Sequence, residues 1–251
     1  MTGPTVQWDE GDRGLLGQGV LAIWCDMAPE SDDQFNAWYT HEHLPERVGV
    51  PGFLRGRRYI RDDRHGVDGQ RYLAFYEATD TAVFSSPAYL ERLNNPTPLT
   101  RTMAPRLENA KRTVLSVQAS YGRGVGRELT IVEFGPTDAG AVSEWVSSSL
   151  VPQALSRPQL TGLHLLVPDE AATKAKEGTQ EARGVTRAMA QWVLVMEGTG
   201  GVPDVAAELV LGADGLASHG ASGTPTSITY EYTVSLLSPD LHTGPGAAAA
   251  S

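Results

Sequence analysis

The chain holds one cysteine in 251 residues, few aromatics at 7%, and 20 Lys and Arg against 30 Asp and Glu. Each shortage excludes something. A lone Cys25 can form no intramolecular disulfide and no cysteine-based metal cluster, and within GVLAIWCDM it reads as a buried, inert thiol. No window approaches the ~18 apolar residues of a membrane-spanning helix. The N-terminal MTGPTVQWDEGDRG is acidic and has no apolar signal core, so the expectation is a cytoplasmic protein with no membrane partner. A net charge of −10 argues against nucleic acid, which attracts basic surfaces. There is no G-x-S-x-G elbow for a serine nucleophile. The glycines of GRGVGR precede a strand pattern rather than a helix, which argues against a phosphate loop.

What is present has an order. GVLAIWCDM (19–27) alternates as a strand, and Ser31 to Leu44 follows as a helix with Ser31 or Asp32 as N-cap. Pro45 is expected to end that helix. GFLRGRRYI (52–60) and RYLAFYEAT (71–79) read as strands around a polar turn, 81–111 as interrupted helix, and 112–121 as a last strand. The order β-α-β-β-α-β is the ferredoxin-like unit. It then repeats: strand 127–135, helix Ala139 to Leu155, strands 161–168 and 186–198, helix Val205 to Leu216, strand 227–237. A shift of 107 positions lays Asp26 on Glu133, Trp38 on Trp145, Pro45 on Pro152 and Pro51 on Pro158, the mark of an internal duplication.

The expected fold class is therefore α+β: two tandem ferredoxin-like (βαββαβ) units packed sheet to sheet as an intrachain α/β barrel. Each unit leaves one sheet face bare, and the two bare faces can bury one another. The expected boundaries are an N-terminal extension (1–18), a first unit carrying the site (19–122), a second, degenerate unit (127–239) and a disordered tail (240–251). Residues 168–184 are polar and read as an exposed loop.

The duplication also contrasts its copies. The stretch NAWYTHEHLPERVGVPGFLRGRRY is dense in polar and aromatic residues, but its copy has Ser148, Ser149 and Leu150 for His41, Glu42 and His43, and Leu165 and Leu166 for Arg58 and Tyr59. Scaffold residues persist while the polar cluster does not, which favours a site in the first half. His43 shares a helical stripe with Phe35 and Tyr39; His41 lies elsewhere and reads as a solvated cap. A helix cannot easily aim both imidazoles at one metal, so no metal site is expected. A histidine beside a broken helix end, backed by Glu42 or Asp26, could move a proton near neutral pH. Alternation along the strand at 19–27 sends Val20, Ala22, Trp24 and Asp26 toward the space between the sheets, and Leu21, Ile23, Cys25 and Met27 toward the helices. Arg57 and Tyr59 alternate together, as do Tyr72 and Tyr76, and either pair could line a cavity.

The pattern N-x-W-Y-x-x-E-H-L-P-E-R followed by V-P-G-F-L-x-x-R-R-Y resembles EthD-like proteins of the dimeric α/β-barrel superfamily. Asn36, Trp38, Tyr39, Glu42, His43, Pro45, Pro51, Gly52, Phe53, Arg58 and Tyr59 carry the match. The resemblance covers 19–118; the second half has the fold pattern without the motif. It implies cofactor-poor chemistry on small aromatic, lactone or polyketide-like molecules, by isomerases, lyases or metal-free monooxygenases, with haem-using relatives. It also implies a cleft between helices and sheet, with His43 at the position of a recurring acid–base group. The expected function is thus a cofactor-independent acid–base enzyme of isomerase or lyase type, with His43, Glu42 and Asp26 catalytic and Trp24, Asn36, Trp38, Tyr39, Arg58, Tyr59 and Tyr76 around the substrate. Alternatives are a non-catalytic binding protein and a haem- or flavin-using or cofactor-free monooxygenase. A small molecule is the expected partner, and further pairing into a homodimer stays open.

Overall fold

The computed structural model describes residues 14–65, 68–174, 186–187 and 191–242. The first repeat runs β1 (Gly19–Asp26), α1 (Asp32–Trp38), α2 (Leu44–Val48), β2 (Phe53–Arg61), β3 (Tyr72–Ala78), α3 (Pro87–Asn94), α4 (Pro98–Met103) and β4 (Glu108–Gly122). The second runs β5 (Glu128–Pro136), α5 (Ala139–Trp145), α6 (Val151–Leu155), β6 (Leu160–Pro168), α7 (Glu170–Lys174), the short β7 (Thr186–Arg187), β8 (Trp192–Gly198), α8 (Val202–Leu209) and β9 (Ala221–Leu237). Eight strands close an antiparallel barrel in the order β1-β3-β2-β9-β5-β8-β6-β4, with β4 returning to β1. β7 adds a parallel bridge to β4. The fold is the tandem ferredoxin-like barrel that the element order predicts.

Closure depends on two long strands, β4 of 15 residues and β9 of 17. β4 pairs with β1 of its own repeat and then, from Leu115 to Gly122, with β6 of the other. β9 mirrors it, pairing with β5 and then, from Tyr230 to Leu237, with β2. Three apolar clusters follow from the pleat. Leu21, Cys25 and Met27 join Phe35, Trp38 and Tyr39 beneath the helices of the first repeat. Val132 and Phe134 join Trp145 and Leu150 beneath those of the second. Val20, Ala22 and Trp24 meet Leu129, Ile131 and Val195 inside the barrel.

Several element boundaries differ from the sequence reading, among them the last strand, which begins at Ala221 rather than 227. The first helix does not stop at Leu44. Tyr39–His43 form a π-turn, closed by the Leu44 N–H on the Tyr39 carbonyl, and α2 continues with Pro45 in its first turn. Proline has no N–H to donate back and its ring crowds the preceding turn; one wide turn before it removes both problems. The second repeat does the same at Val146–Leu150 before Pro152. The interrupted helix gives way to β4 at Glu108, earlier than 112. Strand β8 begins at Trp192, and α8 occupies Val202–Leu209 rather than Val205 to Leu216. Of the loop expected at 168–184, residues 170–174 form α7, whereas 175–185 lie outside the described residues. Ser238–His242 make a 3-10 turn, so order extends into the expected tail, whose residues 243–251 are outside the described residues, as are 1–13. No helix among the described residues is long and apolar enough to cross a membrane.

Gly56 sets the distance of α2 from the sheet. A Cβ there would lie 2.5 Å from Leu44 Cδ1 and 2.9 Å from Val48 Cγ2, so a larger residue would push the helix away. On the other face of the same strand, the barrel interior holds a chain of buried charges. Arg57, fully buried, donates from Nη1 to both Glu197 oxygens at 2.8 and 2.9 Å, while its Nε lies 2.9 Å from Glu77 Oε1. Arg55 donates to Glu77, and Ser120 Oγ sits 2.9 Å from His164 Nδ1. Residues 14–16 seal this end: Arg55 donates to the Gly14 carbonyl, the Leu16 N–H donates to Glu77, and Leu15 enters the barrel core.

Burial alone would raise the Glu197 carboxyl, but Arg57 beside it, with His164, holds it down at about 2, against an ordinary 4.5. A carboxylate depressed in the folded state contributes stability above its unfolded value and loses it as pH falls toward the folded one. Urea unfolding midpoints should therefore drop between about pH 4.5 and about pH 2, and Glu197→Gln should make that drop shallower. Arg57→Ala, which takes the arginine from buried Glu197 and leaves Glu77 to Arg55, should cost about 3–5 kcal/mol at neutral pH.

Candidate active site

Arg58 is the neighbour of Arg57 on β2, and the pleat turns it to the opposite side, under α1. It is 4% exposed. Its Nη2 donates to Asn36 Oδ1 at 3.0 Å and its Nη1 to Thr40 Oγ1 at 3.2 Å. The guanidinium carbon lies 4.3 Å from the Tyr39 ring centre, 5.1 Å from Phe35 and 5.9 Å from Tyr72. Arg57 pairs with two carboxylates; Arg58, among the described residues, forms no ion pair with any. Its pKa is lowered, by burial first, with the surrounding tyrosines opposing. Aromatic faces recover part of the cost of burying a cation, on the order of 0.5–2 kcal/mol, but do not neutralise it.

Beside Arg58 opens a cavity of about 420 Å³, within the size range of small-molecule sites. α1 and the π-turn supply Asn36 and Thr40, β2 supplies Arg58, β3 supplies Tyr72, and β9 supplies Thr233 and Val234. The last two belong to the second repeat. A bulge opposite Arg58 and Tyr59 sets Thr233 out of register, and its Oγ1 donates to the Arg58 carbonyl at 2.9 Å. Tyr72 is tied in a chain: Asn36 Nδ2 lies 3.5 Å from its hydroxyl, which donates to Asp32 Oδ1 at 2.7 Å. Asp32 Oδ2 in turn pairs with Arg71 Nη2 at 3.0 Å.

The other residues singled out from sequence fall into place around this cavity unevenly. Asn36, Arg58 and Tyr59 border it, although the Tyr59 ring packs in the barrel core. Tyr39, Trp38 and Tyr76 lie beneath. Tyr76 donates to the Tyr39 hydroxyl at 3.2 Å, and Trp38 Nε1 donates to Thr100 at 3.1 Å. His43 is 5% exposed, its ring 4.6 Å from Trp38 and 4.8 Å from Tyr39, and it is not among the lining residues. Glu42 turns toward α4, accepting from Thr97 and Thr100. Asp26 does not follow Trp24 into the barrel: a bulge between them ends the alternation, and its carboxylate accepts from the Arg71 N–H and Asn109 Nδ2. Trp24 is in the barrel core, with Lys111 Nζ 4.4 Å from its ring centre. Cys25 is buried, and burial pushes its thiol up to about 12, consistent with an inert group.

Thr40, Asp32, Thr233 and Val234 went unread as site residues, and Tyr72 was weighed only as part of an alternating pair. One signal was available for Tyr72. The register pairs Arg58 with Ala74 and Leu165 with Leu194, so Tyr72 corresponds to Trp192 just as Arg58 corresponds to Leu165. In the second repeat the Arg58 position is thus a leucine packed in the core, and the Asn36 and Thr40 positions are Ser143 and Ser147.

No family model and no curated protein matches the chain. Solved structures do. An anthrone oxidase-like protein superposes with a TM-score of 0.60 over 91% of this chain and 95% of its own, at 12% identity. A candidate monooxygenase from Lactobacillus acidophilus NCFM gives 0.54 over 88% and 97%, at 8% identity, and another from Fusobacterium nucleatum gives 0.51 over 89% and 96%, at 9%. The likeness is one of fold. It spans nearly the whole of each chain, so both repeats take part in it.

If Arg58 is kept for a ligand rather than for the fold, replacing it should be cheap. Arg58→Met should leave thermal stability within about 1 kcal/mol, or about 2–4 °C, since no buried anion is stranded. A loss of about 3 kcal/mol or more, measured by circular dichroism melting, would assign the guanidinium to the scaffold.

Proposed function

We propose that the chain is an EthD-like acid–base enzyme whose first-repeat cleft binds a small planar aromatic molecule and holds its oxyanion, as enolate or phenolate, against Arg58. One observation carries the reading: a buried guanidinium with no carboxylate partner among the described residues faces a cavity of ligand size. An anion that develops there meets a fixed positive charge in a water-poor setting, where it is worth most. Asn36 and Thr40 orient the guanidinium, and Tyr72 in the lining offers an aromatic surface to the ligand. Proton removal from carbon, with the electron pair resting on a neighbouring oxygen, is the shared first step of isomerase and lyase chemistry.

In this reading His43 acts at one remove. Its ring abuts Tyr39, on whose face Arg58 lies, so it sets the position of that face rather than taking the substrate proton. Oxygenation is the second reading, favoured by the names of the structural neighbours: an anthrone-like carbanion can react with O2 and lose water to leave a quinone.

The test uses 4-nitrophenolate as an aromatic oxyanion, followed by its absorbance. The wild-type chain should bind it, Arg58→Met at least tenfold more weakly (about 1.4 kcal/mol), and His43→Phe within about threefold of wild type. Absence of binding by the wild type, or equal binding by Arg58→Met, sinks the oxyanion site. Oxygen uptake with anthrone separates the second reading from the first.

A further inference from the structure

An acid–base site needs a group that takes the proton, and the lining of the cleft offers a short chain for it. We propose that Tyr72 and Asp32 form a proton relay: the substrate's C–H proton passes to Tyr72 Oη while the Tyr72 hydroxyl proton passes to Asp32 Oδ1. This inference rests on the oxyanion reading. The electron pair of the broken C–H bond stays with the substrate as an enolate facing Arg58, and Asp32 returns its proton to water. No oxidant or second reactant enters. Reprotonation at a different carbon completes an isomerisation.

Three features of the site support the relay. Tyr72 lines the cavity, and its hydroxyl is held at 2.7 Å from a carboxylate, the short distance expected for a hydrogen bond to an ionised acceptor. Two guanidinium groups flank its ring, Arg58 at 5.9 Å and Arg71 at 5.6 Å, so negative charge developing on the phenol oxygen is favoured. Asp32 is partly exposed, with its side chain 18% accessible, which gives the proton a route to solvent, while its other oxygen, Oδ2, is paired with Arg71. The Tyr72 phenol is itself raised, by burial first and then by the bond to Asp32, and stays protonated at neutral pH. It therefore serves as a conduit and not as a standing phenolate. Asn36 joins the two ends of the site, accepting from Arg58 through Oδ1 while Nδ2 faces the Tyr72 hydroxyl. The relay lies within the first repeat alone, because Trp192 at the corresponding position of the second has no hydroxyl.

The deciding experiment measures deuterium uptake by 2-tetralone, an aryl ketone with an activated C–H, in D2O by NMR, alongside 4-nitrophenolate binding. The wild-type chain should speed exchange over buffer. Tyr72→Phe and Asp32→Asn should each slow it by about 100-fold or more while binding 4-nitrophenolate within about threefold of wild type. Asp32→Asn alters a partly exposed side chain, so it keeps the test usable if Tyr72→Phe misfolds. Exchange at the wild-type rate in either folded variant overturns the relay. So does wild-type exchange no faster than buffer when Arg58-dependent binding is intact, and in that case the oxyanion site survives. Loss of nitrophenolate binding in the wild type strikes the oxyanion reading itself and takes the relay with it.

Discussion

Strand β9 pairs with β5 along its first part and with β2 along its second, so its hydrogen bonds belong to both repeats. β4 makes the reciprocal exchange with β1 and β6. A ferredoxin-like sheet by itself would expose a bare face and two edges; this exchange covers the face and removes the edges together. The exchange places Thr233 and Val234 beside Arg58, and it forces the inner faces of β2 and β8 together so that Arg57 reaches Glu197. A second repeat with no polar motif of its own is thus still part of the first repeat's cleft.

Two successive arginines on β2 show how the same side chain is put to opposite uses. Arg57 enters the barrel and is matched by Glu197 and Glu77, which makes it a fastening between repeats at a desolvation cost. Arg58 goes under α1 and meets rings and neutral oxygens. In the second repeat the corresponding residues are His164 and Leu165: a polar group is still wanted inside the barrel, and none is wanted under the helix. The two faces of one strand thus differ: one carries an ion pair between repeats, and the other turns a guanidinium toward a cavity.

Much of this could be read before any coordinates. The duplication and the alternation of β1 lead to the barrel, and the contrast between copies at 58–59 marks the position of the buried Arg58. The failures have particular causes. Pro45 looks like a helix stop because proline breaks α-helical bonding, but a π-turn absorbs it, and that turn leaves only the repeated proline as a trace in the sequence. Asp26 looks inward because strict alternation ignores the bulge before it. Helical phase turns His43 inward with Phe35 and Tyr39, and there Trp38 and Tyr39 enclose its ring. Thr233 and Val234 were beyond reach, because the register of β9 on β2 joins residues some 175 positions apart. Asp32 was visible only as a capping candidate, since its link to Tyr72 crosses from a helix start to a strand.

Joining the two repeats in one chain has a consequence beyond geometry. In a barrel assembled from two identical chains, every substitution appears twice, and closure weakens on dilution. Here the partner sheet is tethered by a five-residue connection at 123–127, so its effective concentration is set by the chain and does not fall when the protein is scarce. Each copy is also free to change alone. One half holds a buried arginine at the cavity, while the other has leucine at the same position, packed in its core.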